Sequence, residues 1–491
     1  MEKSKKGFWY VVLVLGLLFS LESIHSQQGD PPNILFILVD DMGWSDPSGY
    51  GNPVIQTTNI DRLANEGMKF TDAYADPVCA PSRAALQTGL SSARLRMTCV
   101  PNGHRRPWAR LVPPEIYWQL PLEHETIAEA LSATGYVSGI FGKWHLGYDE
   151  AHQPQDQGYA LPENVPLTGS YADLVESWTA NNPYKGIGKQ VLESIRFIEQ
   201  NSGQPFFCCV SYNMVHTGPE ARMELVDKYK KICSATRTII HPVYAAMCET
   251  VDETIPLFDE VLESLGIKDK TIVIFASDNG GVIEERGFLF HGFEELVTHN
   301  WPLKGEKGSL YEGGIRIPLI VRWPGYIQAG SVTHHPVHLV DFFPTFLEVA
   351  GIRMGSDHTN AGQNLEGASI LDILSGNEIS QDRDICWHYP HYHHSRPASA
   401  IRSGRYKLIR FYETGHQELF DLKEDIGEQY DISETSPDIT SILTKKLDRW
   451  LNDVGASMPA ENPDYRYDQE LLWGPRLSWK EIRSSGCRYG L

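Results

Sequence analysis

Asn33–Val39 reads NILFILV and runs straight into Asp40-Asp41. An unbroken apolar run of that length suits a strand covered on both faces, as in a parallel sheet. Three more runs have the same build. Residues 136–141 lead into Gly142-Lys143-Trp144-His145, residues 206–212 (FFCCVSY) into Asn213 and His216, and residues 271–276 (TIVIFA) into Ser277-Asp278-Asn279. Residues 317–322 make a fifth strand. Helical stretches fall between them. Residues 58–66 carry Ile60, Leu63 and Ala64 and stop at Gly67; residues 126–134 carry Ile127, Ala130 and Leu131 and stop at Gly135. Residues 191–198, 244–265 and 339–349 are also helical. Alternating strands and helices give an α/β fold: a large, mainly parallel sheet sandwiched by helices. Ligands bind beyond the carboxyl ends of such strands. Four strands here end in charged or metal-capable residues, which points to one site at one sheet edge.

The texture changes after Gly351. Residues 354–367 are rich in Gly, Asn, Asp and Thr and read as a linker. Residues 398–412 and 416–422 read as short antiparallel strands. Residues 439–451 form a helix with Asp438 as N-cap and Trp450 and Leu451 on its apolar side. The expected organisation is a catalytic unit over 30–355 and a smaller C-terminal α+β subdomain with an antiparallel sheet over 368–491. The tail from Pro459 carries no assignment.

At the other end, Lys3, Lys5 and Lys6 precede an apolar run, residues 8–21, shorter than the roughly 20 residues of a spanning helix. Residues 1–26 read as a secretory signal peptide, with an uncleaved anchor as the alternative. The expected location is secreted or periplasmic, with no stable membrane insertion after cleavage. The net charge of −20 argues against a nucleic-acid partner. An anionic substrate must then be drawn by a local basic pocket and a metal. Of eight cysteines, Cys208 and Cys209 are adjacent in an apolar strand and should point to opposite faces.

The candidate chemistry is concentrated. Asp40, Asp41, Asp278 and Asn279 supply only oxygen ligands, which suit Ca²⁺ or Mg²⁺ and not zinc. Residues 77–89 read PVCAPSRAALQTG. Pro81 pushes Ala80 toward an extended conformation, which places Cys79 just ahead of a helix. A helix start with Arg83 one turn in is a place for an anion.

Cys79-Ala80-Pro81-Ser82-Arg83 with Thr88-Gly89 resembles the signature of the type I sulfatases, members of the alkaline-phosphatase-like superfamily. Residues 142–147 resemble a second signature, residues 308–318 (GSLYEGGIRIP) a third block, and residues 416–432 the family's C-terminal strand and loop. Gln87 and Phe141 depart from the family's usual residues. The resemblance covers nearly the whole chain after the leader and implies a sulfuric ester hydrolase. It implies oxidation of Cys79 to formylglycine by a maturation enzyme, and one Ca²⁺ held by Asp40, Asp41, Asp278, Asn279 and the residue-79 oxygen. It implies that Arg83 favours the ionised nucleophile, that Lys143 and Lys304 neutralise sulfate oxygens, that His145 accepts a proton, and that a protonated His216 serves the leaving alcohol. A family serine aligns loosely with Ser170. Arg105, Arg106 and His391 are candidates to bind a sulfated sugar or polysaccharide. The alternatives are a phosphate or phosphonate monoester hydrolase on the same fold, and a non-catalytic secreted glycan binder.

Overall fold

The computed structural model describes residues 31–100, 108–283, 297–352, 364–377 and 383–466. The leader, the basic cluster with Arg105 and Arg106, most of the 354–367 linker and the end of the tail lie outside them. The strands in chain order are β1 Asn33–Val39, β2 Met68–Tyr74, β3 Leu111–Val112, β4 Val137–Gly142, β5 Phe206–Ser211, β6 Thr271–Ser277, β7 Arg316–Arg322, β8 Ser331–Thr333, β9 Val337–His338, β10 Asp384–Tyr389, β11 Ala398–Ser403, β12 Tyr406–Phe411, β13 Gln417–Asp421 and β14 Ala460–Glu461.

The main sheet has the order β4-β5-β1-β6-β7-β2-β8, with β9 also on β2. The first four are mutually parallel. β7 is antiparallel to both β6 and β2. The four strands expected to end in functional residues are therefore four consecutive neighbours, and their carboxyl ends share one edge. Alternate residues of β1 divide between two cores. Leu35, Ile37 and Val39 pack with the helices Ile187–Asn201 and Thr254–Ser264. Ile34, Phe36 and Leu38 pack with the helix Phe342–Val349 on the other face. Cys208 and Cys209 fall in opposite cores, as the strand period requires.

The second sheet is antiparallel, β10-β11-β12-β13. Ile401, Leu408 and Leu419 receive Leu443, Leu447 and Leu451 of the helix Pro437–Asp453. The other face, with Trp387, Ala400, Ile409 and Phe420, packs against Tyr74, Val78, Leu310 and Ile315 of the main body. The tail contributes β14, which pairs with β3.

Several local expectations are corrected. The helical stretch 244–265 is two helices, Pro242–Asp252 and Thr254–Ser264. Pro256 has no N–H to donate back and crowds the turn before it. The N-cap of the last helix is Ser436, and Asp438 lies in its first turn. The helix Cys79–Thr88 begins at Cys79 itself after an extended Val78, so Ala80 is helical. Pro81 falls within the first four positions, whose N–H groups have no partner inside the helix anyway. His388 and Tyr389 end the strand β10.

Candidate active site

Each strand end turns its functional residue inward by a specific backbone device. Beyond β1, Asp41 takes a left-handed φ of 67° and His145, beyond β4, one of 63°. Gly142 has φ 118°, and a Cβ there would lie 1.9 Å from the Ser211 carbonyl oxygen, so only glycine fits. That close approach lets the Lys143 N–H donate to Ser211 O at 2.8 Å and ties β4 to β5 at the edge. Asp278 follows β6; its N–H donates to Val39 O, and Asp41 N–H donates to Asp278 Oδ1 at 3.1 Å.

Charges pair across these strands. Lys143 Nζ reaches Asp40 Oδ2 at 2.6 Å and Lys307 Nζ reaches Asp41 at 2.7 Å. Arg83 donates Nε and Nη2 to Asp278 Oδ2 at 2.9 and 2.7 Å, and Nη1 to Lys143 O and Ser211 Oγ. Cys79 Sγ lies 3.3 Å from His145 Nδ1. His216 Nε2 lies 3.7 Å from Asp41 Oδ2, with its side chain about one third exposed. Burial works against charge throughout; the pairs override it at Asp40 and Lys307 but not at Asp278. Burial raises Asp40, but Lys143, His216, Arg83 and Lys307 hold it well below the usual carboxylate range. Burial lowers Lys307, but Asp41 holds it above the usual lysine value. Burial and then Asp40 push Asp278 up to about 7 against the pull of Arg83. The imidazoles go the other way: burial and Lys143 lower His145 to about 3, while burial and Lys307 lower His216 to about 4. Both rings are neutral at neutral pH with nothing bound.

The donor set fits a hard divalent cation. Asp40 Oδ1 and Asn279 Oδ1 are buried with no hydrogen-bond partner. Asn279 Nδ2 is fixed on Asp41 Oδ1 at 2.8 Å, which leaves Oδ1 to face elsewhere. Ligand atoms of Asp40, Cys79 and Asp278 lie within 4.8 Å of one another, as do those of Asp40, Asp41 and His216. Orphaned buried oxygens among carboxylates are costly unless a cation completes them.

Asp40, Asp41, Cys79, Arg83, Lys143, His145, His216, Asp278 and Asn279 thus converge. Lys304 does not. Its ammonium sits 4.0 Å above the Tyr311 ring, 3.7 Å from Glu418 and 3.3 Å from Glu428 O. Lys307, three residues on, occupies the site. Its signal was its place directly before the block 308–318, nearer than Lys304 to the residues that carry the resemblance. Ser211 was also missed; as the last residue of an apolar strand it gives no functional signal. His391 is buried, with Nε2 on Thr98 Oγ1 at 2.8 Å, and serves packing. Ser170 pairs with Ser264 at the surface. The departures are absorbed locally. Gln87 accepts from the Tyr159 hydroxyl, and the Phe141 ring packs on Phe197 at 5.4 Å.

Comparison with known proteins agrees with this geometry. Residues 32–352 match the family model "Sulfatase", and residues 300–455 match "N-sulphoglucosamine sulphohydrolase, C-terminal". A sulfatase of Formosa agariphila is 30% identical, with 92% of this chain and 94% of that protein covered. N-acetylgalactosamine-6-sulfatase of Rattus norvegicus is 31% identical over 83% of this chain and 77% of its own length. Among solved structures, Ps i-CgsB in complex with k-i-k-neocarrahexaose superposes with a TM-score of 0.69 at 25% identity, covering 90% of this chain and 97% of that one. With a paired-charge, oxygen-rich edge built around Cys79 and a match over most of its length, the chain belongs to the sulfatase family of sulfuric ester hydrolases and has their alkaline-phosphatase-like fold.

Proposed function

We propose that this enzyme hydrolyses sulfate esters of carbohydrates, using formylglycine made from Cys79 and one Ca²⁺. The observation that carries the reading is the position of Cys79. It starts a buried helix 3.3 Å from His145, inside a ring of Lys143, Lys307 and Arg83 and beside two orphaned oxygens. The names of the relatives, N-acetylgalactosamine-6-sulfatase among them, support a sugar substrate.

Oxidised and hydrated, residue 79 would supply a hydroxyl nucleophile, and Asp40, Asp41, Asp278 and Asn279 would hold a Ca²⁺ whose chemistry there would be that of a Lewis acid. The residues present divide the remaining work. Lys143 and Lys307, fixed on Asp40 and Asp41, hold their ammonium groups against the sulfate oxygens. Arg83 locks Asp278 and, through Lys143 O and Ser211 Oγ, keeps the ends of β4 and β5 in register. His145, neutral because burial and Lys143 depress it to about 3, is ready to take a proton from residue 79. His216, about one third exposed, serves the leaving alcohol. Burial and Lys307 hold it near 4, so it is neutral in the free enzyme and gains its proton as the anionic substrate enters.

Secretion is inferred from the leader alone; among the described residues no helix is long and apolar enough to cross a membrane. The test is peptide mass spectrometry of active protein together with turnover of N-acetylgalactosamine 6-sulfate, an aryl sulfate, an aryl phosphate and a phenyl phosphonate. The expected result is an aldehyde or hydrate at residue 79, sulfate release and its loss on chelation. An unmodified thiol in fully active protein, or faster turnover of the phosphorus esters, overturns the reading.

A further inference from the structure

The cations at the sheet edge are nearly all neutralised. Lys143, Lys307 and Arg83 each hold a carboxylate. Lys185 is different. Its Nζ donates to one neutral acceptor, Thr217 O, at 2.7 Å, and among the described residues it has no carboxylate within ion-pair distance. The side chain is half-buried, where an uncompensated ammonium is unfavourable, and burial lowers its pKa although Asp40 and Glu220 oppose that. The fields of Asp40, Asp41 and Lys143 all reach it, so it belongs to the same electrostatic neighbourhood as the site.

Its backbone is held in a conformation that costs energy. Lys185 has φ 50° and ψ 16°, left-handed for a residue with a side chain, in the turn Tyr184–Gly186 before the helix Ile187–Asn201. Glycine would adopt this without strain; strained non-glycine residues gather where function demands a side chain. The turn is tied to the site: Asn213 Nδ2 donates to Lys185 O at 3.4 Å. Thr217, whose carbonyl Lys185 holds, directly follows His216. Thr217 also lines a small, mostly apolar pocket together with Asp41, Val215, His241, Tyr244 and Val297.

We propose that the Lys185 ammonium, held on the turn that follows His216, is a subsite for a second anionic group, a sulfate or a carboxylate, on the same sugar or its neighbour as the scissile sulfate ester. An ammonium has three N–H donors, and one is used by Thr217 O, which leaves two for an anion. In the proposed reading the alcohol portion of the substrate lies on the side of His216, whose side chain is about one third exposed. A chain of net charge −20 attracts a polyanion only through such local uncompensated cations.

The inference rests on the sulfated-carbohydrate reading, and binding separates the two. In a Cys79→Ala background with calcium present, calorimetry compares N-acetylgalactosamine 6-sulfate, N-acetylgalactosamine 4,6-disulfate, and a 6-sulfated disaccharide carrying a uronate carboxylate. Wild-type turnover is assayed separately, so loss of the sulfatase reading shows there and not here. The dianionic ligands should bind tighter, and Lys185→Ala should remove about tenfold of affinity for them while moving the monosulfate by less than about threefold. Whichever dianion loses more identifies sulfate or carboxylate as the group recognised. Lys185→Gln keeps a donor for Thr217 O and should lose the preference equally; Lys185→Arg should retain it. Equal weakening of mono- and dianionic ligands, or restoration of the preference by Lys185→Gln, would make Lys185 a support for the His216 turn and overturn the proposal. Absence of any dianion preference in the Lys185 protein would also overturn it.

Discussion

Two buried clusters in this molecule are built from the same parts. At the sheet edge Asp40, Asp41 and Asp278 meet Lys143, Lys307 and Arg83. Where the second sheet packs on the first, Asp72, Glu312 and Glu428 meet Arg316, Arg402 and Lys407. The second cluster is sealed. Lys407 is fully buried between Glu312 and Glu428 at 2.8 and 2.9 Å. Arg316 bridges Glu312, Asp72 and the Tyr74 hydroxyl. Arg402 reaches Asp72 at 2.8 Å. The first cluster leaves Asp40 Oδ1 and Asn279 Oδ1 without partners and exposes one edge through His216. Charge balance therefore does not distinguish a site from a tie. The difference lies in the opening and in what the buried oxygens face: Glu428 Oε1, also without a hydrogen bond, is ion-paired with Lys407 at 2.9 Å in the cluster that holds β11 and β12 onto β2 and β7, whereas Asp40 Oδ1 and Asn279 Oδ1 lie in a cluster whose oxygens fit a cation.

That contrast is open to attack. The largest effect should come from Cys79→Ser, which should lower turnover by about four orders of magnitude or more while leaving the melting temperature nearly unchanged, because the nucleophile goes and the volume stays. A matching loss of stability would mean that Cys79 is packing. Next, His216→Ala should damage a sugar sulfate about 10²–10⁴-fold more than a nitrophenyl sulfate, whose leaving group needs little protonation. Equal losses on both substrates would assign His216 to sulfate binding. Lys307→Ala should reduce turnover of both substrates alike, by about 10²–10³-fold, since charge on the transferring sulfate is common to them.

Lys407→Met is the counterpart in the sealed cluster. It should cost about 3–5 kcal/mol of stability in denaturant titration, because Glu312 and Glu428 are left buried together, with turnover per folded molecule preserved. A catalytic defect in folded Lys407→Met protein would break the distinction drawn between the two clusters. The smallest effect belongs to Lys304→Ala. Its partners are Tyr311, Glu418 and Glu428, so turnover should change by less than about threefold.

Much of the site was legible because its signals are local. A run such as NILFILV can only be a covered strand or a buried helix segment, and Asp40-Asp41 at its end needs no distant information to attract notice. Glycine at 142 and the cysteine–proline–serine–arginine run work in the same way. Legibility failed where two candidates sat close together in one loop. Lys304 and Lys307 are both lysines beside glycine, and only the nearness of Lys307 to the block 308–318 separates them in the sequence. Gly308, with φ 76°, and the packing of His393 against it turn the chain so that Lys307 faces Asp41 while Lys304 lies on Tyr311. His391, a candidate for sugar binding, pairs instead with Thr98, and its neighbours His388 and His394 pair with Ser399 and Lys307 O.

By itself the amino-acid sequence located five strands of the main sheet, their parallel core, the oxygen-rich edge and a cysteine at a helix start, since each follows from short-range periodicity and neighbouring residues. Only the tertiary structure decided which lysine completes the site, that β7 and β2 run antiparallel, and that three acids and three bases seal one interface while an equal set leaves another open. Those outcomes depend on which side chains meet across hundreds of residues, and desolvation makes the result depend on every partner at once.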